Sequence, residues 1–199
     1  MPASELTALL ILAAAMSFTP GPNTALSTAL AANHGLRHAM RFVLSVPVGW
    51  TLLLVACAFG LGALVTQWPP LRGAIKWTGL AYLLWMAWGL AGRGTLGSAD
   101  PKRFDVGFWQ GVALQFVNIK AWMLALTITA GWVAVASPML PRLLIVAPIM
   151  MSFALASNLL YALIGAALRG WLVQGSRLLW FNRVLAAVLV ATVVWMARL

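Results

Sequence analysis

A chain of 199 residues that is 63% hydrophobic and only 8% charged, with 11 tryptophans, cannot clothe a soluble domain in polar surface and reads as an integral membrane protein. Its net charge of +10 does not point to nucleic acid, because the basic residues are dispersed among short connections between apolar runs, where they act as topology signals and headgroup contacts. The lone Cys57 excludes an intramolecular disulfide and supports no metal or redox motif, so no cofactor is expected.

Six apolar runs of spanning length are predicted, at about 5–32, 42–66, 74–92, 107–133, 142–167 and 178–197, which leaves no room for a soluble domain. The first run carries Glu5 and no Lys or Arg before it, a poor start for a cleavable signal peptide, and is read as a retained helix. It is interrupted by Thr19-Pro20-Gly21-Pro22-Asn23. Each proline removes a backbone donor, and in hydrocarbon every freed carbonyl must find another partner. At about 1.5 Å per residue the break falls roughly 20 Å along the run, a little past the middle of a ~30 Å core. The second half-helix therefore starts inside the membrane, with amides near Asn23 to Ala25 lacking intrahelical acceptors at the positive end of its dipole, an arrangement that suits a carboxylate. Asn23 either caps this half-helix or contacts the substrate.

Asn33-His34-Gly35 marks the first connection. His34 and His38 have the spacing of two metal ligands, but nothing supplies a third and fourth; hydrated interfacial histidines are the stronger reading, with proton handling left open. Arg37 and Arg41, one helical turn apart, read as topology anchors, with an inner gate as the alternative. Pro47 in the second run and Pro148 in the fifth are expected to kink their helices, as hinges or through packing alone. Trp68-Pro69-Pro70 separates the second and third runs, and the connection from Arg93 to Asp105, the longest, is too short for a globular insert.

The fourth run contains Asn118-Ile119-Lys120. Lys120 is the one charged residue well inside a predicted span, where a lysine costs about 2.5–3.5 kcal/mol on insertion scales and needs a partner. No acid lies in a span to pair with it. Lys120 then either meets a substrate carboxylate, staying neutral until one arrives, or snorkels from a helix with different ends. Gln115 lies three residues before Asn118 on the same helical face and is a candidate for the same cavity. Asn158, an amide in an apolar run, is expected to hydrogen-bond another helix rather than the substrate. Tyr82 and Tyr161 default to interfacial or core positions, and Trp68, Trp77, Trp109 and Trp171 sit near span ends, as belt residues do.

With six spans, the first, third and fifth connections share a face carrying Arg37, Arg41, Arg93, Lys102, Arg103, Arg169, Arg177 and Arg183, against Arg72, Lys76, Arg142 and Arg198 opposite. The positive-inside rule places the first group in the cytoplasm and both termini outside. An internal repeat is visible: Arg41 precedes Pro47 by six residues and Arg142 precedes Pro148 by six, an offset of 101. The first and fourth runs both carry a polar interruption. Three crossings followed by three similar ones are necessarily inverted, and paired broken helices in inverted repeats are a secondary-transporter architecture with the substrate between the breaks. The expected fold is thus an all-α membrane domain of six transmembrane helices in two inverted repeats, about 1–98 and 104–199.

These residues carry a resemblance to the LysE/RhtB family of amino-acid exporters: Thr19-Pro20-Gly21-Pro22-Asn23 followed by Gly35-Leu36-Arg37, then Gly107-Phe108 through Gly111, Gln115, and Asn118-Ile119-Lys120-Ala121-Trp122. Ile119 stands where the family has a proline, and isoleucine can continue a helix, so the fourth run is left either broken or continuous. Ser45 and Ala186 stand where family glycines are expected. The resemblance implies export of amino acids or close derivatives across a bacterial inner membrane, coupled to an ion gradient, with proton and sodium both open. It leans Asn118 toward function. On this reading Pro20, Gly21, Pro22, Asn23, Gln115, Asn118 and Lys120 form the substrate site.

The shortage of buried acids adds that a neutral, zwitterionic amino acid is favoured over lysine or arginine. Two other classes compete: an exporter of a metal or other inorganic ion, hinted at only by His34 and His38, and an intramembrane enzyme, which lacks a base or acid at membrane depth to activate a serine. Small residues four apart, Ala56 with Gly60 and Ser152 with Ala156, permit close packing within one chain or in a homo-oligomer.

Overall fold

The computed structural model describes residues 1–92, 105–135 and 137–198, and these are helical with short connections. Arg93, Lys102 and Arg103 of the third connection lie outside the described residues. The helices are α1 (Ala3–Phe18), α2 (Pro22–His34), α3 (Leu36–Ala56), α4 (Gly62–Gln67), α5 (Pro69–Ala91), α6 (Phe108–Val117), α7 (Ile119–Ile128), α8 (Leu140–Leu172) and α9 (Arg177–Ala197). Two wider π-type turns extend them, Cys57–Leu61 between α3 and α4 and Thr129–Val133 after α7.

Three stretches are long and apolar enough to cross a membrane unaided: Leu36–Gln67, Leu140–Leu172 and Arg177–Ala197. Two more qualify as bent pairs, α1 with α2 at 49° and α6 with the run from Ile119 to Val133 at 70°. The protein is therefore an all-helical membrane protein with up to five such segments among the described residues. The third predicted run falls on α5, whose 23 residues would reach about 34 Å. Its Arg72, Lys76, Tyr82 and tryptophans keep it less apolar than the others, and Trp77, Trp85 and Trp88 face outward.

The fourth run is broken although Ile119 replaces the proline. Asn118 turns extended (φ −88°, ψ 104°) and its side-chain oxygen accepts from the Lys120 amide at 3.1 Å, so the new helix is started by an asparagine cap. Pro47 and Pro148 both sit inside continuous helices, α3 and α8.

α2 is the innermost element, with every residue from Thr24 to Asn33 buried. Its alanines, Ser27 and Thr28 are small enough for neighbours to approach closely, as helix packing in lipid requires. α8 presses on it so tightly that a Cβ at Gly165 would collide with the Thr28 carbonyl. α2 and α3 are joined by Gly35 alone, at φ +87°, a left-handed conformation that favours glycine. Ala56 and Gly60 do not pack together against another helix, because Gly60 lies in a π-type turn with nothing within 4 Å of its Cβ position. Ser152 and Ala156 face outward.

Contacts at the two ends group the connections. At one, His38 bonds Asp105 and the Arg169 guanidinium lies against Gly35. At the other, Arg142 donates to a Glu5 carboxylate oxygen at 2.9 Å and to the Trp132 carbonyl at 3.2 Å, while Lys76 donates to the Ala197 carbonyl at 2.8 Å. Trp68, Trp77, Trp109 and Trp171 are all exposed, consistent with a belt.

Candidate functional site

Breaking α1 from α2 frees the carbonyls at the end of α1, and two of them find side-chain donors. In an unbroken helix the Phe18 carbonyl would accept from residue 22, which is a proline, and the Thr19 carbonyl from Asn23. Instead the Tyr161 hydroxyl donates to the Phe18 carbonyl at 3.0 Å and the Lys120 ammonium donates to the Thr19 carbonyl at 2.9 Å. Tyr161, expected at an interface or in the core, thus repairs a break, and Lys120 reaches from one break to the other rather than snorkelling outward. It passes close over Gly21, where a Cβ would lie 3.3 Å from Lys120 Cδ.

At the start of α2 the expected trio of free amides is reduced. The Ala25 amide already donates to the Gly21 carbonyl at 2.9 Å, leaving those of Asn23 and Thr24. Thr24 holds the turn: its hydroxyl accepts from the Gly21 amide at 2.9 Å.

The two interruptions are tied together by amide side chains. Asn23 Nδ2 donates to Gln115 Oε1 at 2.8 Å, Gln115 Nε2 returns a bond to Asn23 Oδ1 at 3.2 Å, and Asn118 Nδ2 reaches the same Asn23 oxygen at 3.5 Å. Gln115 also donates to the Gly111 carbonyl at 3.1 Å. It is fully buried and stands behind Asn23, off the cavity wall.

The cavity itself, about 60 Å³, lies between the breaks. By the measure in which one water needs about 10–15 Å³, it holds a solute the size of roughly four to six waters. Thr19, Gly21, Pro22, Asn23, Asn118 and Lys120 form one side; Trp50, Leu124, Met150, Ser17, Ser157 and Asn158 complete it. Of the residues expected here, Pro20 is exposed and off the wall. Asn158 makes the expected interhelical bond, its Oδ1 accepting from the Ser27 hydroxyl at 2.9 Å, and it borders the cavity as well. No carboxylate borders it. Ser17, Trp50, Met150 and Ser157 went unnoticed because their spacing has no signature; only the partner that Lys120 needed pointed toward Thr19.

Pro47, Pro148, Arg37 and Arg41 stand apart from the cavity. Arg37 and Arg41 are exposed on the first turns of α3, and Arg41 Nη2 lies 3.2 Å from His38 Nδ1. His38 Nε2 is 2.6 Å from Asp105 Oδ1, and its ring lies 4.9 Å from that of His34. A tautomer protonated at Nε2 satisfies both contacts, which uses both His38 nitrogens and leaves neither for a metal.

A family model described as LysE type translocator matches residues 14–198. Among curated relatives, the cysteine/O-acetylserine efflux protein of Klebsiella pneumoniae is 32% identical over 175 residues, covering 87% of each chain. That of Escherichia coli K12 is 29% identical over 180 residues, covering 87% of this chain and 88% of its own. That of Salmonella paratyphi A is 34% identical over 119 residues, 59% of this chain and 60% of its own. No solved structure matches.

Proposed function

The chain belongs to the LysE type translocator family, and we propose that it exports a small neutral amino acid or close derivative across the bacterial inner membrane by alternating access. The observation that carries this reading is the Lys120 ammonium resting on the Thr19 carbonyl between two broken helices. When a zwitterion enters, Lys120 turns to its carboxylate, joined by the free Asn23 and Thr24 amides at the positive end of α2. The Thr19 carbonyl, released, accepts from the substrate's ammonium. One internal bond is thus exchanged for two of opposite sense, matching the two ends of an amino acid. Asn23 and Asn118 orient the carboxylate, Gln115 acts behind them, Gly21 on the wall leaves room for Lys120, and Pro20 and Pro22 keep the chain open.

Size and polarity narrow the substrate. A cavity of about 60 Å³ without a carboxylate suits a short uncharged side chain, and the relatives' names, cysteine and O-acetylserine efflux, fall in that class.

The architecture we propose is six transmembrane helices in two inverted repeats, about 1–98 and 104–199, with α5 as the third crossing. In its support, the predicted equivalents pack on each other, α3 with α8 and α5 with α9. The eight-to-four charge bias puts the end with His38 and Arg169 in the cytoplasm and both termini outside. Pro47 and Pro148 sit as counterparts on α3 and α8, positioned to flex as the halves rock, with Arg37 and Arg41 at the inner mouth.

Counterflow in proteoliposomes loaded in turn with cysteine, O-acetylserine, leucine, glutamate and lysine tests the reading. Exchange of the small neutral solutes, lost in Lys120→Ala and Asn23→Ala while both variants stay folded, is the expected result. Exchange surviving both substitutions would move the site elsewhere, and preference for lysine or glutamate would overturn the substrate class.

A further inference from the structure

A second, larger cavity lies on the other side of α7. It is a groove of about 460 Å³ between α4, α5, α7 and the end of α9, separate from the candidate site. α7 divides the two: Lys120 and Ala121 border the inner cavity, whereas Ile119, Trp122 and Met123 line the groove. Along α7 the groove runs from Ile119 to Leu126, about 10 Å, within the ~15 Å depth of one leaflet's hydrocarbon. Its walls are mostly apolar, with Thr66 on α4 and with Arg72 and Lys76 entering from α5 one helical turn apart. No acid lines it. Arg72 is exposed and its guanidinium makes no hydrogen bond or ion pair among the described residues, and Lys76 uses one of its three donors on the Ala197 carbonyl. Trp68 and Trp195, 54% and 50% exposed, flank this end, the position tryptophan takes at headgroup level.

We propose that the groove is a binding site for an anionic phospholipid, with one acyl chain along α7 and the phosphodiester between Arg72 and Lys76. Two cations with spare donors at the interface and an apolar trough leading inward complement such a lipid in charge and shape, whereas a zwitterionic lipid cancels much of that attraction. The lipid braces the outer face of the helix whose inner face carries Lys120. This site stands independently of which solute is exported.

The full chain, purified in detergent and equilibrated with equal amounts of phosphatidylglycerol and phosphatidylcholine of matched chains, is examined for retained lipid by native mass spectrometry. At roughly fivefold per cation near a surface, phosphatidylglycerol should be favoured by about five- to twentyfold. Arg72→Gln with Lys76→Gln should abolish the preference, Met123→Trp should expel the acyl chain and lower retention of both lipids, and Arg198→Gln, a cation outside the groove, should change neither. Soluble glycerol phosphate should not compete, since it lacks the chain. No preference in the intact protein, a preference unchanged in the Arg72→Gln, Lys76→Gln variant, or retention unchanged in Met123→Trp, overturns the proposal. A shift in oligomeric state with lipid retention unchanged would overturn it in favour of an interface between copies.

Discussion

Lys120 donates to the Thr19 carbonyl across 101 positions of sequence, the same offset that relates Arg41 to Arg142 and Pro47 to Pro148. Two residues that are counterparts in the proposed repeats therefore touch, and a contact between counterparts belongs on the pseudo-two-fold axis. On the proposed architecture Lys120 then sits where both halves can act on it.

Replacing Lys120 with Met keeps the volume and removes the donor. A hydrogen bond from a charged group contributes about 1.5–3 kcal/mol, so substrate KM in counterflow should rise roughly 10- to 150-fold. Lys120→Arg should recover only part, because the guanidinium is broader and must pass over Gly21, where space is already tight. Full activity in Lys120→Met would remove the ammonium from the site.

Gln115→Leu separates orientation from contact. It strips Asn23 of its reciprocal partner without touching the cavity wall, and buried interhelical bonds in membranes contribute about 0.6 kcal/mol and at most about 1.7. A modest fall in thermal stability, with KM raised less than by Asn23→Ala, is expected from parallel melting and counterflow measurements. Equal losses in the two variants would put Gln115 in direct contact with substrate.

Gly165→Ala tests the packing of α8 on α2. The added methyl meets the Thr28 backbone carbonyl, which cannot move aside as a side chain can, and overpacking of this kind costs about 1–3 kcal/mol. Lower melting temperature and reduced yield should follow. Gly170→Ala on the same helix, with open space around it, should melt as the intact protein does.

The cluster of His38, Asp105 and Arg41 addresses coupling. His38→Gln and Asp105→Asn each remove the His38–Asp105 pair while leaving the cavity intact. Counterflow, which needs no gradient, should persist, while uptake driven by an imposed pH gradient should fall. Loss of both activities would assign the pair a structural role; retention of both would take it out of the coupling path.

The first break was legible because Pro20, Gly21 and Pro22 forbid a continuous helix whatever surrounds them. The second was half legible: Ile119 permits a helix, and the turn depends on Asn118 capping Lys120, a choice fixed by the Asn23 and Gln115 amides that arrive from far away in sequence. Lys120 could be marked as needing a partner, since charge in hydrocarbon demands one. Which partner could not be read, because the Thr19 carbonyl becomes available only through the break itself. Trp50, Met150 and Ser157 were invisible for a simpler reason: their position on the wall follows from the packing of α3 and α8, which no local spacing records. Pro47 and Pro148 lie inside continuous helices, so a single proline does not mark a break, whereas Pro20 and Pro22 do so together with Gly21.

Gly35 gives the molecule a joint one residue long. With a single residue between them, α2 and α3 have little slack, so on the proposed reading a displacement of the α2 start by a bound carboxylate would be passed on to α3. The lever has unequal arms: thirteen residues on the side of the substrate, twenty-one on the other. A small tilt at the cavity would then move the far end of α3 through a longer arc.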